Sequence, residues 1–291
     1  MRSLLLIANP AAGGGRVPKL LPSVRRRLDA LGVSHRTALT SSLDDATEFT
    51  NDALDRGEIP VAFSGDGVAG VVARAASYRD AAVFGVLPGG TGNDFCGHMG
   101  ISQDAVEACD VLANGSEHAI DLGEANGVRF LGIASFGYDS LANESANAAP
   151  RFLGSGVYIW GAISAIARWR QANFTVVADG VEKNFEGWSV LCANTSRYGG
   201  GMLIAPDASI DDGQFDVICT LKSSRLRFIR MFPKVFKGTH IGDPNLDVSR
   251  ASEVAVSADR NFTIYADGDP LTELPALIKI VPNAVKVLIP A

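Results

Sequence analysis

Cysteine and histidine are scarce in this sequence, which has four of each among 291 residues. The cysteines form no C-x-x-C pair and no zinc-ligand set with the four scattered histidines; they are Cys96, Cys109, Cys192 and Cys219. Zinc sites and disulfide scaffolds need closely spaced or paired cysteines, so the pattern disfavours both and fits a reducing cytoplasm. We expect the four cysteines to be small, buried apolar residues.

Long apolar runs are absent as well. The best candidate, residues 157–167, ends at Arg168 and is too short to cross a bilayer. The strand-like run at residues 4–8 is too short to be the core of a signal peptide. We therefore expect a cytoplasmic protein whose contact with a membrane is peripheral.

The sequence has no excess of positive charge. Its formal net charge is −6 and its pI is about 5.3. Proteins dedicated to binding DNA or RNA are usually basic, so nucleic acid is not an expected partner. The apolar fraction of 47% and the charged fraction of 20% are typical of a folded globular protein.

Strand and helix patterns alternate in the first third of the chain. The patterns predict strands at residues 3–8, 33–39, 60–63 and 83–87, and helices at 18–31, 44–56, 68–77 and 102–112. This alternation indicates βαβ units and a parallel sheet covered on both faces. Short β-rich runs dominate from about residue 119, with one at 130–136, and helices are predicted at 158–169 and 226–236. We predict an α/β domain over residues 1–120 and an antiparallel β-rich domain over 121–291, whose last strand is a candidate to return to the first domain.

Three glycine-rich turns each follow a predicted strand of the first domain. They are Asn9-Pro10-Ala11-Ala12-Gly13-Gly14-Gly15, Ser64-Gly65-Asp66-Gly67 and Pro88-Gly89-Gly90-Thr91-Gly92-Asn93-Asp94. Glycine lets the backbone approach a phosphate closely and direct N–H groups at it. Because the carboxyl ends of parallel strands meet at one edge of a sheet, the three turns together predict a phosphate site. One such turn alone would be an ordinary turn.

Asp66 stands between two glycines of the second turn. A carboxylate in a phosphate site repels the ligand unless a cation or a hydroxyl proton lies between them, and Mg²⁺ is the economical explanation. The alternative is a turn aspartate that caps the next helix. The sequence contains no Walker A loop.

Taken in order, these motifs resemble those of the diacylglycerol kinase family of bacterial lipid kinases, which also includes sphingosine kinases. Five further segments of the second domain follow in the family's order: residues 194–201, 206–208, 211–213, 237–240 and Asp267-Gly268-Asp269-Pro270. The resemblance implies a phosphofructokinase-like α/β domain followed by a β-sandwich-like domain, with the active site in the cleft between them.

The resemblance also implies which residues act. It implies ATP contacts at Asn9, Pro10, Ala11, Ala12, Gly13, Thr40, Gly65, Asp66, Gly67, Val68 and Thr91. Asp269 falls where the family carries its general base, usually Glu, and Asp121 falls where a second acid orients that base. With Asp66, these are the candidate catalytic residues. Asp212 falls at a structural Mg²⁺ site, with the carbonyls of Ser209 and Gln214 as further ligands.

Four positions depart from the family's pattern. Ser64 replaces a glycine, and Val68-Ala69-Gly70-Val71 replaces Thr-x-Asn-Glu, so three polar side chains are missing near the nucleotide. Gly132 stands where Asn is common, and Asp269 is one methylene shorter than the usual Glu.

The expected function is transfer of the γ-phosphate of ATP, with Mg²⁺, to a lipid alcohol, and diacylglycerol is the first candidate acceptor. A kinase of another acceptor such as NAD, or a nucleotide-binding sensor without turnover, is the alternative. The resemblance leaves a homodimer open. A basic amphipathic segment around residues 222–236 is a candidate for contact with a membrane surface, and core packing of its apolar side is the competing interpretation.

Overall fold

The computed structural model describes residues 2–147 and 156–291. The chain divides into two compact units. The first unit comprises the residues up to Ile120 together with Asn283–Ala291, and the second comprises Asp121–Pro282.

The first unit is built from alternating strands and helices. Its elements are β1 (Ser3–Ala8), α1 (Arg16–Ala30), β2 (Ser34–Leu39), α2 (Leu43–Asp55), β3 (Ile59–Ser64), α3 (Asp66–Ala76), β4 (Val83–Pro88), α4 (Asp94–His98) and α5 (Cys109–Asn114). Strands β4, β3, β1 and β2 lie side by side in that order, and all pair in parallel. Their carboxyl ends therefore lie at one edge of the sheet, where α/β proteins bind ligands.

Local sequence explains these elements. Residues 4–8 of β1 are wholly buried, as expected of an apolar strand covered on both faces. Helix α2 begins with a capping box in which the Ser42 side chain accepts the Asp45 N–H and the Asp45 carboxylate accepts the Ser42 N–H.

The second unit is mainly antiparallel. Its elements are β5 (Ser116–Ala125, which begins in the first unit), β6 (Val128–Phe130), β7 (Ile133–Gly137), α6 (Tyr138–Asn147), α7 (Gly156–Arg168), β8 (Ala172–Ala178), β9 (Val181–Ala193), β10 (Arg197–Tyr198), β11 (Met202–Leu203), β12 (Phe215–Leu221), α8 (Arg225–Val235), β13 (Leu246–Ala251), β14 (Glu253–Ala258), β15 (Thr263–Ala266), β16 (Asp269–Glu273) and β17 (Ala276–Ile289). Strands β16, β15, β7, β9, β8 and β14 follow one another across the sheet. The predicted order of an α/β domain followed by an antiparallel β domain is confirmed.

Aromatic side chains fill the core of the second unit. Trp188 is fully buried, and its ring stacks on Phe228 of α8 with the ring centroids 4.0 Å apart. Tyr138 meets both rings edge-on. Because paired aromatic rings contribute stability beyond that gained from burying their surface area, this cluster fixes α6 and α8 against the sheet.

Strand β17 belongs to both units. Its first residues pair with β14 in antiparallel fashion, with Ala276 opposite Val256. Near its end, Lys286 and Val287 pair in parallel with Val83 and Phe84 of β4.

Two predicted elements were wrong. The predicted helix over residues 102–112 is reduced to α5, because the Ser102 and Asp104 side chains bind nearby backbone N–H groups and compete with the helix ladder. The predicted strand over 130–136 is interrupted between β6 and β7, because the N–H groups of residues 131 and 132 bind a distant carboxylate instead. Among the described residues, no helix is long and apolar enough to cross a membrane.

Candidate active site

The first glycine-rich loop joins β1 to α1. The Asn9 side chain accepts the N–H of Ala11 at 2.9 Å and so tightens the turn. Gly13, Gly14 and Gly15 follow with φ angles of 56°, 67° and 85°, which favour glycine. Three consecutive residues of this kind set the backbone in a conformation that a side chain would strain.

The three glycine-rich loops lie against one another. A Cβ atom on Gly13 would fall 2.6 Å from the carbonyl oxygen of Gly89, and one on Gly90 would fall 2.5 Å from the Cα of Gly65. The Ser64 carbonyl accepts the N–H groups of Gly89 and Gly90 at 2.8 and 3.0 Å. Side chains are thus excluded where the carboxyl ends of β1, β3 and β4 meet, and such close backbone packing fits a phosphate cradle.

The other residues predicted to contact ATP lie around this edge with different exposure. Thr40 follows β2, is 5% exposed and donates its N–H to the Ala8 carbonyl at 3.0 Å. Thr91 is exposed in the third loop. Val68 is 4% exposed within α3, so its side chain belongs to the core. A contact of Val68 with a nucleotide through its backbone stays a prediction.

The Asp66 carboxylate binds backbone N–H groups. Its Oδ1 accepts the N–H of Phe95 at 2.9 Å, and the N–H groups of Asn93 and Asp94 also contribute. Burial raises the pKa of this carboxyl, while these hydrogen bonds oppose the rise. Asp66 therefore caps a helix, as the alternative interpretation of this residue predicted. The capped helix is α4, however, and not α3, which begins at Asp66 itself. Its carboxylate oxygens are also of the kind that Mg²⁺ prefers.

Asn93 closes the third loop. Its Oδ1 accepts the N–H of Gly90 at 2.8 Å, and its backbone takes a left-handed φ of 53° just before α4. Asn tolerates this conformation better than most residues. The loop is consequently held by its own side chain as well as by Ser64.

In the second unit, Asp267 holds the hairpin that carries Asp269. Its two carboxylate oxygens accept the N–H groups of Leu131 and Gly132 at 2.9 and 2.8 Å. Asp267 and Gly268 form a two-residue turn with φ angles of 55° and 92°, and Asp269 begins β16 directly after it, half-exposed. Two charge-assisted hydrogen bonds thus connect this turn to the link between β6 and β7.

Gly132 leaves room for the Asp267 carboxylate. A Cβ atom on Gly132 would lie 2.7 Å from Asp267 Oδ1 and 3.2 Å from Thr195 Oγ1. The departure at this position therefore has a physical reason, because any side chain here would meet the carboxylate that binds the Gly132 N–H.

Asp121 and Asn194 fix the neighbouring backbone. Asp121 is 2% exposed, and its Oδ2 accepts the N–H of Gly213 at 2.8 Å. The Asn194 amide donates to the carbonyls of Asp121 and Leu131 at 2.9 and 2.8 Å. Asp121 thereby holds the turn over residues 209–214, which was predicted to bind Mg²⁺.

The side chains of that turn already have partners within the protein. The Asp212 carboxylate forms an ion pair with Arg250, and its Oδ1 accepts the Gln214 N–H at 3.0 Å. The Ser209 hydroxyl donates to Asp211 at 2.6 Å. Across residues 2–147 and 156–291 no group of three or more His, Cys, Asp or Glu residues is arranged to hold a metal ion. Arg250 therefore supplies the positive charge beside Asp212, and binding of Mg²⁺ by Asp212 with the carbonyls of Ser209 and Gln214 stays a prediction.

Comparisons with known proteins cover nearly the whole chain. The family model for the diacylglycerol kinase catalytic domain matches residues 3–125. The model for the YegS C-terminal NAD kinase beta sandwich-like domain matches residues 132–289. A diacylglycerol kinase of Mycobacterium tuberculosis (strain ATCC 25618 / H37Rv) is 32% identical over 292 residues, covering 98% of this chain and 94% of the relative. The chain belongs to the diacylglycerol kinase family. It is accordingly an ATP-dependent phosphotransferase.

Other members and solved structures extend the likeness. A diacylglycerol kinase of Bacillus subtilis (strain 168) is 30% identical over 275 residues, covering 92% of this chain and 90% of the relative. A crystal structure of a diacylglycerol kinase from Bacillus anthracis str. Sterne has a TM-score of 0.77 at 18% identity, covering 99% of this chain and 97% of that one. Another structure from the same organism has a TM-score of 0.85 at 21% identity, covering 99% and 97%. These structures support the α/β and β-sandwich-like fold.

For this member of the diacylglycerol kinase family, sequence reasoning missed one buried carboxylate beside a motif that it did find. Tyr198 precedes three glycines with positive φ, and its hydroxyl donates to Asp139 at 2.7 Å. Burial raises the pKa of the Asp139 carboxyl, opposed by hydrogen bonds from Tyr198 and Ser189. The only signal in the sequence was an aspartate after the apolar run that became β7.

All four cysteines are buried and free, as predicted.

Proposed function

We propose that this enzyme transfers the γ-phosphate of ATP to the hydroxyl of a lipid alcohol, with diacylglycerol as the first acceptor to test. The observation that carries the proposal is the packing of three glycine-rich loops at the carboxyl edge of the parallel sheet, with backbone distances that exclude side chains. This edge lies in the segment matched by the diacylglycerol kinase catalytic domain. Relatives named diacylglycerol kinase span nearly the whole chain.

The glycine-rich loops would bind the phosphates through backbone N–H groups. Positive φ angles at Gly13, Gly14 and Gly15, followed by the start of α1, supply such donors beside a helix N-terminus. Asn9 shapes this loop, while Thr40 and Thr91 offer hydroxyl groups near the same edge. Binding here would hold the terminal phosphate in place, which is most of what a protein contributes to phosphoryl transfer.

Asp269 is the proposed general base. A half-exposed carboxylate can accept the proton of the acceptor hydroxyl as its oxygen attacks the γ-phosphorus, while the bond to the β-phosphate oxygen breaks and ADP leaves. Asp121 would act as a positioning residue because it holds the turn over 209–214. Asp66 would hold a Mg²⁺ ion that arrives with ATP, and this ion would neutralise phosphate charge.

The direct test is phosphate transfer from labelled ATP to diacylglycerol in mixed micelles. We expect Asp269→Asn to lose about a hundredfold or more in kcat, the scale of a lost general base. Glu273→Gln is the matched control, because Glu273 is an exposed carboxylate at the other end of the same strand. Equal activity of Asp269→Asn and wild type would refute the base assignment.

NAD is the second acceptor to test, because the model that matches the second domain is described as NAD kinase beta sandwich-like. Labelling of NAD without labelling of any lipid would replace the lipid proposal. Binding of ATP with no labelled product would indicate a nucleotide sensor instead.

We also propose a cytoplasmic enzyme that meets its acceptor at a membrane surface. Diacylglycerol resides in bilayers, so an enzyme that phosphorylates it needs access to the lipid–water interface.

A further inference from the structure

Helix α8 has one apolar side in the core and another in solvent. Phe228 and Val235 are each 8% exposed, and Phe228 belongs to the aromatic core around Trp188. Leu226 and Ile229 are 57% and 47% exposed, respectively. Core packing therefore accounts for only part of the apolar surface of this helix.

The exposed apolar residues form one stripe along α8. Leu226, Ile229, Pro233 and Phe236 follow the spacing i, i+3, i+7 and i+10, which places them on one side of a helix. Phe236, directly after the last turn, is 42% exposed. An apolar stripe in solvent is unfavourable unless something covers it.

A basic stripe runs beside the apolar one. Arg230, Lys234 and Lys237 are exposed and repeat at i, i+4 and i+7. None of the ion pairs recorded between described residues involves these three side chains. The helix thus combines an exposed apolar stripe with available positive charge.

The local charge opposes that of the whole chain. Residues 222–237 hold six basic side chains and no acidic one, in a chain with a net charge of −6. Two of the six are neutralised, since Lys222 pairs with Glu186 at 2.6 Å and Arg227 pairs with Asp243 at 2.8 Å. The basic stripe remains, and charge of this kind attracts anionic lipid.

The end of α7 adjoins the start of α8 and adds exposed apolar area. Arg225 donates to the carbonyls of Ala167 and Trp169 at 3.4 and 3.1 Å. Further back along α7, Trp160 and Ile163 are 44% and 64% exposed. Tryptophan is favoured at lipid–water interfaces, because its ring is apolar and its N–H is polar.

We propose that α8 docks this enzyme on the surface of an anionic lipid bilayer. The docking face consists of Leu226, Ile229, Phe236 and the basic stripe of Arg230, Lys234 and Lys237. The inference rests on the proposed function, because a lipid acceptor places the enzyme at a bilayer. A second copy of the chain is a poorer occupant, since a two-fold contact through this face would bring like charges together.

The test is sedimentation of the full-length protein with vesicles. One set is phosphatidylcholine alone, and the other contains phosphatidylcholine and phosphatidylglycerol in equal amounts. We expect the protein to bind the anionic vesicles and to lose this binding at high salt, because dissolved ions screen the attraction between the basic stripe and the lipid headgroups. Arg230→Gln with Lys234→Gln should lower the partition coefficient roughly 25-fold, at about fivefold for each basic residue removed.

Matched controls separate local from general charge. Arg25→Gln with Arg26→Gln removes the same charge from exposed positions of α1 and should leave binding unchanged. Leu226→Ser with Ile229→Ser should weaken binding even at low salt. Equal loss of binding in the α1 and α8 charge variants would overturn the docking face.

Activity distinguishes this inference from the proposed function. The α8 charge variant should retain wild-type kinase activity toward diacylglycerol in uncharged detergent micelles. Active kinase whose vesicle binding is indifferent to α8 would refute the docking face alone. Vesicle binding through α8 without lipid phosphorylation would refute the proposed function alone. If Leu226→Ser with Ile229→Ser instead converts a dimer to a monomer in sedimentation velocity, the face is an interface between copies and the bilayer proposal fails.

Discussion

Replacement of Gly132 by alanine should disturb the hairpin that carries Asp269. The new Cβ would lie 2.7 Å from Asp267 Oδ1, whereas ordinary contacts begin at 3.4 Å, so the oxygen has to retreat by about 0.7 Å. That shift stretches a 2.8 Å hydrogen bond from the Gly132 N–H beyond the usual range. Overpacking of this kind costs about 1–3 kcal/mol, and we expect about 2 kcal/mol here.

A double-mutant cycle tests the cause. Asp267→Ala alone leaves the N–H groups of Leu131 and Gly132 without their charged acceptor, at a cost of about 2–3 kcal/mol. In the double variant, the alanine methyl occupies space that the carboxylate has vacated. The combined cost should therefore fall short of the sum of the single costs by at least about 1 kcal/mol.

Tryptophan fluorescence during urea unfolding is the suitable assay. All three tryptophans, at positions 160, 169 and 188, lie in the second unit. The fluorescence signal therefore reports unfolding of the unit that contains Gly132 and Asp267. Gly242→Ala is the control, because a Cβ at Gly242 meets nothing within 4 Å. Strictly additive costs in the cycle would refute the proposed steric relation between Gly132 and Asp267. If Asp269 is the base, Gly132→Ala should also lower kcat while the KM for ATP stays constant.

Three further predictions concern other positions. Gly90→Ala would place a Cβ 2.5 Å from the Cα of Gly65, so ATP affinity measured by calorimetry should fall at least tenfold, and unchanged affinity would remove this loop from the site. Asp269→Glu restores the family's usual base and should keep kcat within about tenfold of wild type. A loss as large as that of Asp269→Asn would mean that catalysis does not tolerate displacement of the carboxylate by the length of one methylene group. His240 is 1% exposed, and burial lowers its pKa from 6.5, so the unfolded chain binds more protons just below that pH. Stability should therefore fall as pH drops from 6.5 towards the folded-state pKa, and His240→Gln should flatten this slope in unfolding experiments near pH 7 and pH 5.

The alternation of strands and helices in the first unit could be predicted from local patterns. Apolar runs such as residues 4–8 are buried on both faces of a parallel sheet. Their continuous apolar character therefore predicts a strand without any knowledge of tertiary contacts. The helix predicted over 102–112 failed because Ser102 and Asp104 bind backbone N–H groups, which periodicity does not register.

Long-range partners explain the remaining differences. The break between β6 and β7 is set by Asp267, which lies far along the chain from Leu131. The placement of Asp66 against α4 likewise depends on a loop that follows the next strand. Arg250 reaches Asp212 from β13, a strand that no sequence pattern had indicated. Contacts between residues so far apart along the chain cannot be inferred from a short segment of sequence.

The order of the three loops was the better predicted part of the site. Each follows a strand of a parallel sheet, so topology alone brings them together. Sequence did not reveal how closely Gly13, Gly65, Gly89 and Gly90 approach residues of neighbouring segments, since this approach appears only when the loops are packed. The expected roles of Asp269 and Asp121 stay predictions.

The pairing of β17 with β4 bears on how the protein is made. Residues 283–291 complete the first unit but are synthesised only after the whole second unit has been synthesised. Until then, the β4 edge beside Val83 and Phe84 lacks the strand that will cover it, and such an edge can pair with other chains. The first unit therefore cannot finish folding until these last residues have emerged, and until then its uncovered β4 edge is a point at which aggregation can begin.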